Sequence, residues 1–197
     1  MIPFREPFTF IQGGAHVGIT PNDRLRKYIL RGQATGLLVE PIAKHFTKLR
    51  SNYSHLPGLS FSQCALGAED GQTVLYRLDH EQAERFPEDW AGQLASTDPT
   101  HVRKHFKGRW LEIVEEPALV STIESLCAWH KIEEVDLLLL DIEGAELEAL
   151  SGLGRLRPEY IIYEHKHCDS DAVMRLLGGL GYEWQASRDL DTMVKRA

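Results

Sequence analysis

The chain has 197 residues, of which 43% are hydrophobic and 26% charged, as in one ordinary globular domain. Its net charge of -7 argues against a general affinity for nucleic acid or for anionic membranes. The three cysteines, Cys64, Cys127 and Cys168, are far apart and show no CxxC or Cys/His spacing, so neither a disulfide framework nor a structural zinc site is indicated.

The sequence shows no targeting or membrane segment. The N-terminus, MIPFREPFTF, lacks the basic region followed by an apolar stretch that marks a signal peptide. The longest apolar run, residues 135–140, is far too short to cross a bilayer. We therefore expect a cytoplasmic protein with reduced thiols and with no nucleic-acid or membrane partner.

Short apolar segments alternate with amphipathic helical segments, which is typical of βαβ units and a mainly parallel sheet. The predicted parallel strands are residues 8–12, 36–40, 59–66, 135–141 and 160–164. Residues 182–186 and 192–195 predict a terminal hairpin. Together they predict an α/β, Rossmann-like three-layer sandwich, in which a seven-stranded, mostly parallel sheet ends in a C-terminal antiparallel hairpin.

The connections between these strands are predicted to be mainly helical. Helices are expected near residues 21–30, 42–52, 120–129, 145–150 and 170–177. Two extra strands are expected at residues 73–76 and 110–114. The stretch 79–110 is polar, and we predict that it is an insert that covers an acceptor site within a single domain of residues 1–197.

A glycine-rich turn, residues 13–18 (GGAHVG), follows the first predicted strand. Glycine allows positive φ and lets the backbone pass close to a ligand. The spacing does not fit the GxGxxG dinucleotide fingerprint, and no Gly-Lys-Ser/Thr follows as in a P-loop. A tight strand-to-helix turn without a ligand remains an alternative for this segment alone.

Glu40 ends the second predicted strand, about 20 residues after Gly18, where a carboxylate can accept hydrogen bonds from a ribose diol. A surface glutamate at a helix start is the alternative. The glycine turn and Glu40 together favour nucleoside binding. Residues 63–65 (QCA) leave room for a flat adenine edge, although plain core packing explains them equally well.

Three acids, Asp141, Glu143 and Glu146, follow the apolar fourth strand, where unused charges would be costly. They are candidates for binding a cationic amino group, holding a metal or accepting a proton. Charge complementarity at a helix N-terminus is the alternative, and it suits Asp141 least. His165 and His167 end the fifth strand as candidate general bases or as exposed polar residues, and we expect no metal.

Four segments, residues 10–18, 36–53, 135–153 and 157–167, resemble the FkbM family of methyltransferases, most specifically in DIEGAE and YIIYEHKH. The resemblance implies a class I fold that uses S-adenosylmethionine and transfers its methyl group, commonly to a hydroxyl oxygen. Where the family commonly has Asn-Asp in the first loop, this chain has His16-Val17, which removes a carboxylate from that loop.

The resemblance also implies residue roles. Gly14 and Gly18 would flank the methionine part of the cofactor, Glu40 would hold the ribose, and Asp141 would lie near the methionine amino group and the reacting methyl. The predicted cofactor-binding set is Gln12, Gly14, His16, Gly18, Glu40, Pro41, Gln63, Cys64, Ala65, Asp141 and Glu143. The predicted catalytic residues are Asp141, His165 and His167.

The cofactor chemistry agrees with this interpretation, because a sulfonium carries positive charge and no phosphate. The first loop has no basic residue, and the strand ends are acidic. We expect O-methylation of a hydroxyl on a sugar, polyketide or other natural-product or glycan acceptor. A nonenzymatic cofactor-binding or scaffold protein is the alternative. The chain starts close to its first strand, which predicts an open site or a lid from a second subunit in a homo-oligomer.

Overall fold

The structure of the protein is a computed structural model that describes residues 6–21, 23–87, 91–106 and 108–197. Residues 88–90 and 107 of the predicted insert lie outside these ranges. The strands are β1 (Phe8–Gly13), β2 (Ala34–Val39), β3 (Leu59–Ser62), β4 (Ala65–Leu66), β5 (Gly71–Leu78), β6 (Ala95–Ser96), β7 (Ile113–Ser121), β8 (Leu137–Leu140), β9 (Tyr160–Glu164), β10 (Tyr182–Arg188) and β11 (Asp191–Arg196). The helices are α1 (Arg26–Leu30), α2 (Ala43–Tyr53), α3 (His80–Ala83), α4 (Pro99–His105), α5 (Ile123–His130), α6 (Glu146–Ser151) and α7 (Ser170–Gly179).

The main sheet has seven strands in the order β10-β11-β9-β8-β1-β2-β3. The pairs among β3, β2, β1, β8 and β9 are parallel, and β11 pairs antiparallel with both β9 and β10. The predicted fold is therefore confirmed, including the terminal hairpin. The direction of strand succession reverses between β1 and β8, which is where α/β sheets of this kind bind their ligands.

The four consecutive leucines of β8 pack on both faces of the main sheet. Side chains alternate between the two faces of a strand. Leu137 and Leu139 pack in a core with residues of α1 and α2, whereas Leu138 and Leu140 pack in a second core with residues of α5, α6 and α7. The sheet is therefore covered by helices on both faces, as a three-layer sandwich requires.

A second sheet, of four strands in the order β4-β7-β5-β6, was not predicted. The prediction of one strand over residues 59–66 is wrong, because the chain changes sheets at Gln63 and Cys64: β3 pairs with β2, and β4 pairs with β7. This change of sheet brings Ala65 and Leu66 to the carboxyl edge of the main sheet.

The short strand predicted at residues 110–114 is also wrong in its bounds, since β7 runs over Ile113–Ser121 and pairs antiparallel with β5. Proline has no amide hydrogen to donate in a sheet, and Pro117 is tolerated because one edge of β7 is unpaired at this position. Strand β4 pairs only with Val120 and Ser121 on that edge. The insert has a small core of its own, with Leu78, Leu94 and Val102 buried against α3 and α4.

Within the described residues, none of the helices has the length and apolar character that crossing a membrane requires.

Candidate functional site

A cleft of about 460 Å³ opens at the carboxyl ends of β1, β2 and β8, at the reversal of strand order. Its walls contain many of the residues that the sequence singled out, namely Gly14, Glu40, Pro41, Cys64, Ala65, Asp141, Glu143 and His167. The insert supplies a further wall through Ser96, Asp98, His101 and Lys104. Cofactor-type residues from the sheet and polar residues from the insert therefore face one space.

The glycine turn positions one wall of this cleft. Gly14 has φ +76°, and a Cβ atom there would overlap the backbone carbonyl oxygen of Asp141. Gly18 also has φ +76°, and a Cβ atom there would overlap the ring of Tyr53 in α2. Both positions need glycine for close packing of the turn, and Gly14 thereby allows the main chain of Asp141 to approach β1.

Glu40 is a buried carboxylate, 5% exposed, held in one orientation by backbone donors. Its Oε2 accepts from the amide of His16 at 2.9 Å, and its Oε1 accepts from the amide of Ile42 at 2.9 Å. A carboxylate has about four acceptor positions, so capacity remains for donors that enter from the cleft. This geometry suits the two hydroxyl groups of a ribose.

His16 contributes to the cofactor loop through its backbone, because its amide donates to Glu40 while its ring lies outside the cleft wall. The ring packs edge-to-face on His45, with 4.2 Å between centroids. Burial, with smaller contributions from His45 and Lys48, lowers the pKa of His16 to about 3, so the ring is neutral at physiological pH. The loop thus lacks both the family's carboxylate and a replacement charge.

Asp141 and Glu143 form the acidic wall of the cleft. The side chain of Asp141 is exposed to solvent in the cleft. Desolvation by the surrounding protein and the charge of Glu143 nevertheless raise the pKa of Asp141, and the charge of Arg24 partly offsets this increase. Glu143 has φ +56°, and its Oε2 lies 3.1 Å from Nε2 of His101. Two carboxylates at this wall favour a cationic ligand.

Glu146 differs from the other two acids of its segment because it is fully buried and lies outside the cleft wall. Its Oε1 accepts from the amide of Ile142 at 3.0 Å. Burial raises the pKa of Glu146 to about 7, with further contributions from Asp141 and Glu143. Its placement indicates a structural role in the turn that follows β8.

Three histidines gather beside Glu143. The rings of His101, His105 and His167 have centroids 4.7 to 5.0 Å apart, and Nε2 of His167 lies 4.0 Å from Oε2 of Glu143. Sequence reasoning missed His101 as a site residue. The spacing His101-x-x-x-His105 puts both rings on one face of a helix and so indicates that the two histidines form a pair, although it does not place that pair at the cleft.

Several residues proposed from the sequence lie away from the cleft. Gln12 is buried within β1, Gln63 is exposed, and Gly18 packs on α2. His165 pairs with the terminal hairpin, with its Nδ1 3.2 Å from Oγ1 of Thr192. Of the two histidines proposed as bases, the structure brings only His167 to the cleft.

The cleft fits S-adenosylmethionine by its chemistry. Glu40 presents a fixed carboxylate for a ribose, and Asp141 with Glu143 presents negative charge for a sulfonium and an ammonium group. Between them the wall contains apolar side chains that suit a flat adenine ring, namely Ile42, Leu66 and Leu75.

Comparisons with known proteins agree with this geometry. Residues 12–184 match the family model described as the methyltransferase FkbM domain. The protein named Methyltransferase 1 from Beauveria bassiana (strain ARSEF 2860) is 28% identical over 155 residues, which are 77% of this chain. The chain spans about 60% of the length of that curated relative.

Among solved structures, the fibrillarin/Nop5p complex contains a chain that is 14% identical, with a TM-score of 0.51; the match covers 98% of this chain and 75% of that one. A precorrin-6y C5,15-methyltransferase from Geobacter metallireducens GS-15 is 9% identical with a TM-score of 0.49, covering 97% and 80% of the two chains. At 14% identity, the similarity to the chain of the fibrillarin/Nop5p complex concerns the fold alone. The match over residues 12–184 shows that the chain belongs to the FkbM methyltransferase family, and its cofactor is S-adenosylmethionine.

Proposed function

We propose that the chain catalyses transfer of the methyl group of S-adenosylmethionine to a hydroxyl oxygen of a sugar, polyketide or other natural-product or glycan acceptor. The observation that carries this proposal is the single cleft at the strand reversal, onto which the carboxylates of Glu40 and Asp141 and the polar side chains of the insert all open. In this proposal the cofactor and the acceptor would occupy adjacent parts of that cleft.

The residues of the sheet would bind the cofactor. Glu40 would accept hydrogen bonds from the ribose, and Asp141 and Glu143 would stabilise the positive charge of the methionine part. S-adenosylmethionine supplies an electrophilic methyl group when bound. What the protein adds is alignment of the acceptor and exclusion of water, which is worth roughly 7 to 11 kcal/mol of the barrier when alignment is good.

The insert would bind the acceptor. Ser96, Asp98, His101 and Lys104 line the cleft with donors and acceptors that suit a hydroxylated ligand. The hydroxyl group must lose its proton, and Asp141, a carboxylate in the cleft wall, would accept it. The raised pKa of Asp141 makes it a stronger base than an ordinary aspartate.

The test is a methyl-transfer assay with a panel of glycans and polyketides. Formation of S-adenosylhomocysteine would be measured, and fragmentation mass spectrometry would locate the added methyl. We expect oxygen methylation, and we expect Asp141→Asn to lower turnover by about 10² to 10⁴-fold. Asp171→Asn, an exposed acid in α7, is the matched control and should leave turnover unchanged.

A methyl group found on nitrogen or carbon would refute the proposed acceptor chemistry. Failure to bind the cofactor at all would instead favour the nonenzymatic scaffold.

A further inference from the structure

The three histidines and two nearby carboxylates form a compact donor cluster at the insert end of the cleft. One nitrogen each of His101, His105 and His167 lie within 4.8 Å of one another, and so do the donor atoms of Glu143, Glu164 and His167. The two sets share His167. The donors come from α4, from the turn after β8 and from the end of β9, so the fold itself assembles them.

The distances are close to those of a metal centre. Donor atoms bound to one ion at about 2.1 Å are roughly 3.0 to 3.5 Å from one another. Glu143 Oε2 is already 3.1 Å from His101 Nε2 and 4.0 Å from His167 Nε2. His101 and His105 are four residues apart in α4, which places their rings on one face of that helix.

Glu164, which lies beside His167, provides a second observation that points to a cation here. Its carboxylate is 6% exposed, and its Oε2 has no hydrogen-bond partner among the described residues. Its Oε1 lies 3.9 Å from Nε2 of His167. A buried carboxyl with an unsatisfied oxygen is costly unless it is protonated or a positive charge lies near it.

We propose that His101, His105, His167 and Glu143 bind one divalent transition-metal ion of the class that prefers imidazole, such as zinc, cobalt or nickel. Glu164 lies behind His167 and supports the site by its charge. Three nitrogen donors and one carboxylate are typical of this class, whereas magnesium and calcium take oxygen donors. No metal was expected from the sequence, because the two histidines considered, His165 and His167, are two positions apart at a strand end and such residues are often merely exposed and polar.

The role of this ion depends on the proposed function. His101, Glu143 and His167 line the cleft on the acceptor side, so a bound ion would polarise an acceptor hydroxyl and lower its pKa. Transfer of the proton from that hydroxyl to Asp141 would then be easier. Binding of the ion itself does not depend on methyl transfer.

The experiment is a titration of the full, chelator-treated chain, without a histidine tag, with Co²⁺ in the absence of cofactor and acceptor. We expect one equivalent to bind with visible d–d absorption, Zn²⁺ to displace it and excess Mg²⁺ to leave it in place. Because no methyl transfer is measured, failure of the proposed function would leave this result unaffected.

Single variants test two of the ligands and the supporting carboxylate. His101→Ala and His167→Ala should each weaken Co²⁺ binding by more than about tenfold, and Glu164→Gln should weaken it by about 10 to 100-fold. His55→Ala removes an exposed histidine that follows α2 and should change nothing. Circular dichroism verifies folding, and Glu143→Gln replaces any variant that fails to fold. Absence of Co²⁺ absorption in the parent chain, or binding unchanged in the histidine variants, would overturn the proposal.

Discussion

Glu146 should make the protein less stable as the pH rises through neutrality. Its carboxyl is fully buried, and burial raises its pKa from 4.5 to about 7. The unfolded chain releases this proton near pH 4.5, whereas the folded chain keeps it until about pH 7. The folded state therefore binds more protons in this window, and stability falls as the pH increases across it. One pH unit between the two pKa values is worth about 1.4 kcal/mol, so ionised Glu146 lowers the unfolding free energy by roughly 3 kcal/mol above pH 7.

Glu146→Gln should remove this dependence, because glutamine keeps an oxygen that accepts from the amide of Ile142. Urea denaturation followed by circular dichroism would give unfolding free energies between about pH 5 and pH 8.5. The stability of the variant relative to the parent should rise by about 2 to 3 kcal/mol over that range. Glu148→Gln lies at an exposed position of the same helix. Its unfolding free energy should change with pH as that of the parent does, within about 0.5 kcal/mol. If the unfolding free energy of Glu146→Gln shows the same pH dependence as that of the parent, ionisation of Glu146 is not the cause of the loss of stability.

Two further predictions concern the scaffold of the cleft. Gly14→Ala should lower the melting temperature markedly in thermal denaturation, because the new Cβ atom would overlap the carbonyl oxygen of Asp141 at a backbone φ of +76°. Gly178→Ala in α7 meets no atom within 4 Å and should be neutral or stabilising by about 0.5 to 1 kcal/mol. Glu116→Ala should lower the unfolding free energy in urea by about 1 to 3 kcal/mol, since Glu116 accepts from Arg77 Nε at 2.6 Å and from the first amide of α2 at 2.8 Å. A loss no greater than the usual effect of a surface substitution would contradict this link between the second sheet and α2.

The main sheet was predictable from the sequence because its strands are continuous apolar runs separated by helical periodicity. The four leucines of β8 fill two cores, as expected for a central strand that is covered on both faces. The second sheet was not predictable in the same way. Strand β7 carries Glu115, Glu116 and Pro117 in its middle, and its stability comes from eight residue pairs with the distant β5. Long-range pairing of this kind leaves no local pattern.

The candidate site shows the same division. Glu40, Asp141 and Glu143 follow strands, so the rule that ligands bind at carboxyl ends identified them. His165 and His167 both follow β9, but the chain bends at residues 166–168, so strand alternation does not set the direction of their side chains. His165 contacts Thr192 of the hairpin, whereas His167 lies at the cleft. The contribution of His101 depended on how the insert folds over the sheet, which the sequence alone did not specify.

Calorimetric titration of the chain with S-adenosylmethionine tests whether the glycine turn, Glu40 and Asp141 form one cofactor site. We predict binding of one equivalent, weakened by about 10 to 100-fold in Glu40→Gln through the loss of charge-assisted hydrogen bonds to the ribose. The exposed control Glu134→Gln should bind like the parent. Absence of binding, or equal affinity in Glu40→Gln and the parent, would contradict the assignment.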